Sequence, residues 1–309
     1  MRRWLLLGFA VAALGAGAVF AAAWFSSPTP RALDSRVDTR LHASGGRDVS
    51  LSGVAPILRE AVVATEDERF YRHHGIDVIG IMRALPYDVF HLTTAEGAST
   101  ITEQVAKLIY LGGNDHSPWR KLEDMALALK LERRYSKEQI LAAYLNSTYF
   151  GEGAVGIGAA SERYFGVSPR KLGAAEASLL AGLVQAPSAY DPVQHPAAAR
   201  ERQVVVLRSL VRSGALTTEE ASAAIGRPLR LRDGRVLPAV QGIDFAPGPA
   251  FIWWELTLGA VLVLLGAATI IVVRTAPIRV EHRRIALRLA SLALVLVGVD
   301  VVARSFRVI

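Results

Sequence analysis

The sequence contains no cysteine. This excludes a disulfide scaffold, a thiolate metal site and a cysteine nucleophile. It also shows no internal repeat and no low-complexity tract. Acidic residues are in the minority, 28 against 35 Lys and Arg, giving a formal charge of +7. A basic chain can signal a nucleic-acid partner. Here much of the excess lies beside apolar runs, where it orients a chain in a bilayer and meets anionic lipid. No nucleic-acid partner is expected.

What the chain does have is apolar sequence, 51% of its 309 residues. A mean hydropathy of +0.30 exceeds that of a typical soluble domain. Trp4 to Phe25 is unbroken and follows Arg2 and Arg3. A membrane span needs roughly 20 such residues. Ala21, Ala22 and Ala23 could mark a signal-peptide cleavage site. The run continues to Trp24 and Phe25, an interfacial aromatic pair, so an uncleaved anchor over 1–25 is expected. Two more apolar segments, 251–273 and 285–303, occupy a carboxyl-terminal region 250–309. The second is weaker, because it carries Arg288 and Asp300. Arg274, Arg279, Arg283 and Arg284 between them put that loop on the cytoplasmic side, the same side as Arg2 and Arg3. The middle of the chain is then exported.

The segment 26–53 is rich in Ser, Pro, Gly and charge and is expected to be a stalk. From Val54 to about Ser213 the apolar spacing predicts a mainly α domain. Ser136 is placed to cap the second of two helices, and 172–184 reads as a buried helix. The tail 214–249 holds a small hairpin turning at Asp233-Gly234 and a linker at Pro247-Gly248-Pro249.

Three segments of this domain bear chemistry. In the first, Ala64 to Asp77, a helical continuation would stack Val62, Glu66 and Phe70 on one stripe. Glu66 would then extend an apolar face, where a carboxylate is costly unless paired or used. A solvated charge cluster at a helix end fits the same residues. In the second, Glu96 to Tyr110, Ser99, Thr100 and Thr102 offer hydroxyls where a helix begins, a setting that suits anions. Gln104 and Lys107 follow three apart. A Ser/Thr-capped amphipathic helix fits equally. In the third, Arg120 and Lys121 are adjacent cations and Glu123 and Asp124 adjacent acids at the head of a helix. Such cations can bind phosphate, and an acid can orient them or hold a divalent cation. For Glu123 an exposed salt bridge is the simpler expectation.

Taken in order and spacing, the three segments resemble the peptidoglycan glycosyltransferases, the family 51 transglycosylases of monofunctional enzymes and bifunctional penicillin-binding proteins. The resemblance rests on Glu66-Asp67-x-x-Phe70-x-x-His73-x-Gly75, on Gly97-x-Ser99-Thr100-Ile101-Thr102-x-Gln104-x-x-Lys107 and on Arg120-Lys121-x-x-Asp124. It continues through Tyr135-Ser136-Lys137, Tyr144-Leu145-Asn146, Tyr164-Phe165-Gly166 and Ala186 to Pro192, about half the chain.

The resemblance implies a lysozyme-like helical fold. It implies that lipid II units are joined into glycan strands with inversion, releasing undecaprenyl diphosphate. Glu66 then corresponds to the general base, with Asp124 beside it in the catalytic set. Ser99, Thr100, Gln104, Lys107, Arg120, Lys121 and Lys137 become the candidate substrate-binding residues. No organic cofactor is implied; magnesium or manganese at Asp124 is the candidate metal. The expected partners are lipid II, the growing glycan strand, the membrane and other cell-wall synthesis proteins. The expected location is the bacterial cytoplasmic membrane, with the catalytic domain on its outer side. The family usually has Gln where Glu103 stands and Glu where Asp124 stands, and no transpeptidase domain is expected after this one. A lytic enzyme using Glu66 as an acid, or a non-catalytic scaffold, are the competing classes.

Overall fold

The computed structural model describes residues 2–81, 99–112 and 117–246, with side chains described from Leu14 onward. The described part is mainly helical, as the apolar spacing predicts. The segments expected to span at 251–273 and 285–303, and the linker before them, lie outside the described residues.

The amino-terminal apolar run forms one helix, α1 (Arg2–Ser26). Among the described residues no helix is long and apolar enough to cross a membrane, a description that takes in α1 only from Leu14. The end of α1 is fastened to the domain by Lys130. Its ammonium donates to Trp24 O at 2.6 Å, Ser27 O at 2.7 Å and Ser27 Oγ at 2.9 Å. It also lies over the Trp24 ring. A cavity of about 420 Å³ opens there, lined by Trp24, Phe25, Lys130 and Arg133 among others.

The expected stalk is in part a packed helix. In α2 (Leu33–Ala43) the residues Leu33, Val37 and Leu41 recur every fourth position and are buried in the core. That stripe, and not the polar average of 26–53, decides its fate.

The centre of the domain is a cluster of three helices. α3 (Pro56–Glu66) begins at Pro56, which suits a first turn, and buries Leu58, Ala61 and Val62. α8 (Ala174–Leu183) is buried on every side from Ala177 to Leu183, where the one polar side chain, Ser178, donates to the Ala175 carbonyl and accepts from Gln203. α9 (Pro196–Ser213) packs on both. Around them lie α4 (Ile101–Val105, continuing as a π turn to Leu111), α5 (Pro118–Glu132), α6 (Lys137–Ser147), α7 (Ile157–Phe165) and α10 (Thr218–Ile225). Ser136 caps α6 through a reciprocal box with Gln139. The hairpin pairs β1 (Leu229–Arg230) with β2 (Val236–Leu237), Leu229 opposite Leu237, and Gly234 takes a φ of 89° in its turn.

Candidate active site

α3 stops at Glu66 because Asp67 leaves helical space, at φ −158° and ψ 73°. Phe70 falls in a following 3₁₀ turn, Phe70–Arg72. The expected stripe through Val62, Glu66 and Phe70 is therefore interrupted: Val62 and Glu66 share a helix face and Phe70 reaches the core from beyond the break.

Asp67 makes that break useful. Its Oδ2 accepts from the Ile101 amide at 3.0 Å, tying α3 to the first turn of α4, and lies 2.9 Å from His73 Nε2. His73 Nδ1 accepts from the Gly75 amide at 3.2 Å, which assigns the ring proton to Nε2, facing Asp67. Gly75 has a φ of +99°, and a Cβ there would lie 2.8 Å from the Ala128 carbonyl carbon. Only glycine lets this loop pass so close to α5. The carbonyl of Gly75 accepts from Thr100 Oγ1 at 2.7 Å, and Thr100 in turn caps α4 by accepting from the Glu103 amide.

α4 carries the partner of Glu66. Gln104 Nε2 donates to Glu66 Oε2 at 3.0 Å, and Gln104 Oε1 accepts from the Tyr144 hydroxyl at 2.9 Å. Burial pushes the Glu66 carboxyl above the usual carboxylate range; the Gln104 hydrogen bond and the charge of Arg202 on α9 oppose the rise. Burial and the neighbouring Glu66 push the Tyr144 hydroxyl well above the usual tyrosine range, so it remains a donor. A carboxylate raised by burial yet still hydrogen-bonded is what a general base near neutral pH requires.

The cations gather at the head of α5. Lys121 Nζ donates to Ser99 Oγ at 2.9 Å and pairs closely with Glu103. Arg120 donates to the carbonyls of Leu111 and Gly112 at the end of the π turn, and lies 3.5 Å from Glu123. The salt bridge expected for Glu123 is thus formed, but half-buried instead of exposed, and Glu123 also accepts from Ser26 Oγ at 2.9 Å. Asp124 is buried, its Oδ1 has no hydrogen-bond partner, and burial raises its carboxyl against the nearby charges of Lys121, Arg120 and Lys107.

Glu66 and Gln104 are therefore brought together directly, and Ser99 and Lys121 form a second group. Asp124 has Lys107, Arg120 and Lys121 within electrostatic reach but hydrogen-bonds to none of them in the described structure. Lys107 stands in the π turn, Ala106–Leu111, that continues the helix from Gln104. Thr100 is buried; its hydroxyl donates to the Gly75 carbonyl and accepts from the Glu103 amide. Lys137 is engaged by Glu132 at 2.6 Å and lies over the ring of Phe70 in the first motif. Sequence reasoning missed Tyr144, Asp67 and Arg202 as parts of the Glu66 environment. The first two stand inside recognisable segments; for Arg202, one of several arginines in α9, no local signal exists.

Residues 35–211 match the family model described as Transglycosylase. A Cupriavidus necator protein, provisionally named a transglycosylase, is 45% identical over 57% of this chain and 75% of its own length. Penicillin-binding protein 1F of Bacillus subtilis is 41% identical over 62% of this chain, and penicillin-binding protein 1A of Neisseria meningitidis is 36% identical over 73%. The match spans only 27% and 30% of those two longer relatives.

Proposed function

The chain belongs to the transglycosylase family, and on that premise we propose that it polymerises lipid II into glycan strands by inverting glycosyl transfer, releasing undecaprenyl diphosphate. The observation that carries this reading is Glu66, half-buried, its carboxyl raised by desolvation and hydrogen-bonded by Gln104. Glu66 takes the proton from the acceptor's sugar hydroxyl. That oxygen forms a bond to the donor's anomeric carbon from the face opposite the leaving group. The bond between that carbon and the diphosphate oxygen breaks, and its electron pair leaves with the lipid diphosphate. Lys121, held at Ser99, together with Arg120 and Lys107, supplies positive charge where the leaving group's negative charge develops.

Among the described residues no group of three or more His, Asp or Glu side chains is arranged to hold a divalent metal, and Glu103 already carries the Lys121 ammonium.

The proposed setting is the bacterial cytoplasmic membrane. α1 would be the anchor, the lysozyme-like domain would lie outside, and 251–273 and 285–303 would return to the bilayer. Substrate and product both carry a lipid tail, so a domain held at the surface meets them there. Other cell-wall synthesis proteins are the expected partners. Incubating the purified full chain with lipid II and resolving the products on a gel tests the reading. Polymer supports it, cleavage of preformed strands points to a lytic enzyme, and no reaction points to a scaffold.

A further inference from the structure

Glu103 is 2% exposed, and among the described residues its carboxyl has one hydrogen-bonding partner, Lys121. Its Oε2 takes the Lys121 ammonium, while Oε1 is buried without a hydrogen bond. A half-satisfied buried carboxylate is expensive for a fold to keep. The charges of Asp124 and Asp67 add to the cost by repulsion. A neutral amide would serve packing at less expense.

Lys121 is the beneficiary. Its side chain remains 43% exposed, and two of its three N–H bonds are spent on Ser99 and Glu103. Among the described residues the third has no partner, so it is available to an anionic oxygen. Asp124, three residues along α5, does not hold this ammonium: it forms no hydrogen bond to Lys121, and its Oδ1 is orphaned. The carboxylate that fixes the cation therefore arrives from α4.

We propose that Glu103 is the positioning residue that aims Lys121 at the leaving diphosphate, a role that rests on the glycosyltransferase reading above. Two effects of opposite sign follow. The negative charge of Glu103 weakens ground-state attraction for the diphosphate, while its grip keeps the ammonium where charge develops in the transition state. Removing it should damage turnover without weakening binding.

The test uses the full chain in detergent with lipid II, and farnesyl diphosphate as a calorimetric probe of the anion site. Glu103→Gln is expected to lower kcat roughly tenfold to a hundredfold, the scale of a misplaced catalytic group. KM and the farnesyl diphosphate affinity should be no weaker than in the wild type. Glu103→Gln with Asp124→Glu moves the longer carboxylate to α5, adding roughly 1.5 Å of reach toward Lys121, and should recover most of the lost kcat. Glu103→Asp, which keeps the charge but withdraws it, should show the same split more mildly. Wild-type kcat in Glu103→Gln overturns the role, as does a parallel loss of affinity and kcat with no recovery in the double variant. A wild type that makes no polymer overturns the glycosyltransferase reading itself, and this role with it.

Discussion

Gln104 Nε2 donates to Glu66 Oε2 at 3.0 Å, joining α4 to the last residue of α3. The Tyr144 hydroxyl fixes which way the amide faces, because it donates to Gln104 Oε1 and leaves the NH₂ for the carboxylate. A flipped amide would set its oxygen against Glu66 and repel the ionised form. The network therefore favours an ionised carboxylate as acceptor, against the desolvation that favours the neutral acid.

Tyr144→Phe removes that orientation and leaves the amide oxygen of Gln104 without its donor. The loss of one buried hydrogen bond is expected to cost about 1 kcal/mol of stability. Turnover should fall roughly tenfold with KM little changed, since Tyr144 acts through Gln104 and not on substrate. Steady-state kinetics with lipid II check it. An unchanged kcat would detach Tyr144 from the base.

Topology is testable because there is no native thiol to interfere. With 251–273 entering the bilayer from outside and 285–303 returning, the last residues should lie outside. Ser305→Cys should then react with an impermeant maleimide in intact cells. Arg304 and Arg307 favour the inside, so protection of that thiol would place the last segment along the interface instead.

The sequence carried the helical class, the Ser136 cap and the Asp233-Gly234 turn, because each depends on local spacing. Three features were not legible there, each for a definite reason. The end of α3 at Asp67 is set by tertiary partners, the Ile101 amide and His73, which lie outside any local window. The burial of Leu33, Val37 and Leu41 was hidden by the polar residues between them. The pairing of Lys121 with Glu103 needed the packing of α4 on α5, and without that packing Asp124 seemed the nearer acid.

Lys130 is a test of how α1 is fixed. Its three donors are all taken by Trp24 and Ser27, and burial lowers its pKa without displacing it from those oxygens. Lys130→Met keeps the stem and removes every donor. The chain around 27–31 should then become more sensitive to limited proteolysis, with a cost of about 1–3 kcal/mol for the carbonyls left unpaired. Catalysis should be retained in detergent, where the domain need not be held to a bilayer. Equal proteolysis of variant and wild type would show that Trp24 packing alone holds the junction.

Glu66→Gln separates function from stability by sign. As the base it must be ionised, so the variant should lose polymerisation by orders of magnitude while still binding lipid II. Stability runs the other way. Burial raises the folded-state pKa of Glu66 above its unfolded value, so the folded state holds the proton more tightly. Its contribution is fully present below the unfolded pKa and is lost as pH rises through the raised folded value. At neutral pH and above, ionised Glu66 thus destabilises the fold, and the neutral amide should relieve it. Thermal unfolding should show Glu66→Gln with the higher Tm at pH 7–8, and the gap should close as pH falls below the ordinary glutamate range. A variant less stable than wild type at pH 8 would mean that the Gln104 hydrogen bond and Arg202 outweigh desolvation, and that Glu66 sits ionised at no cost.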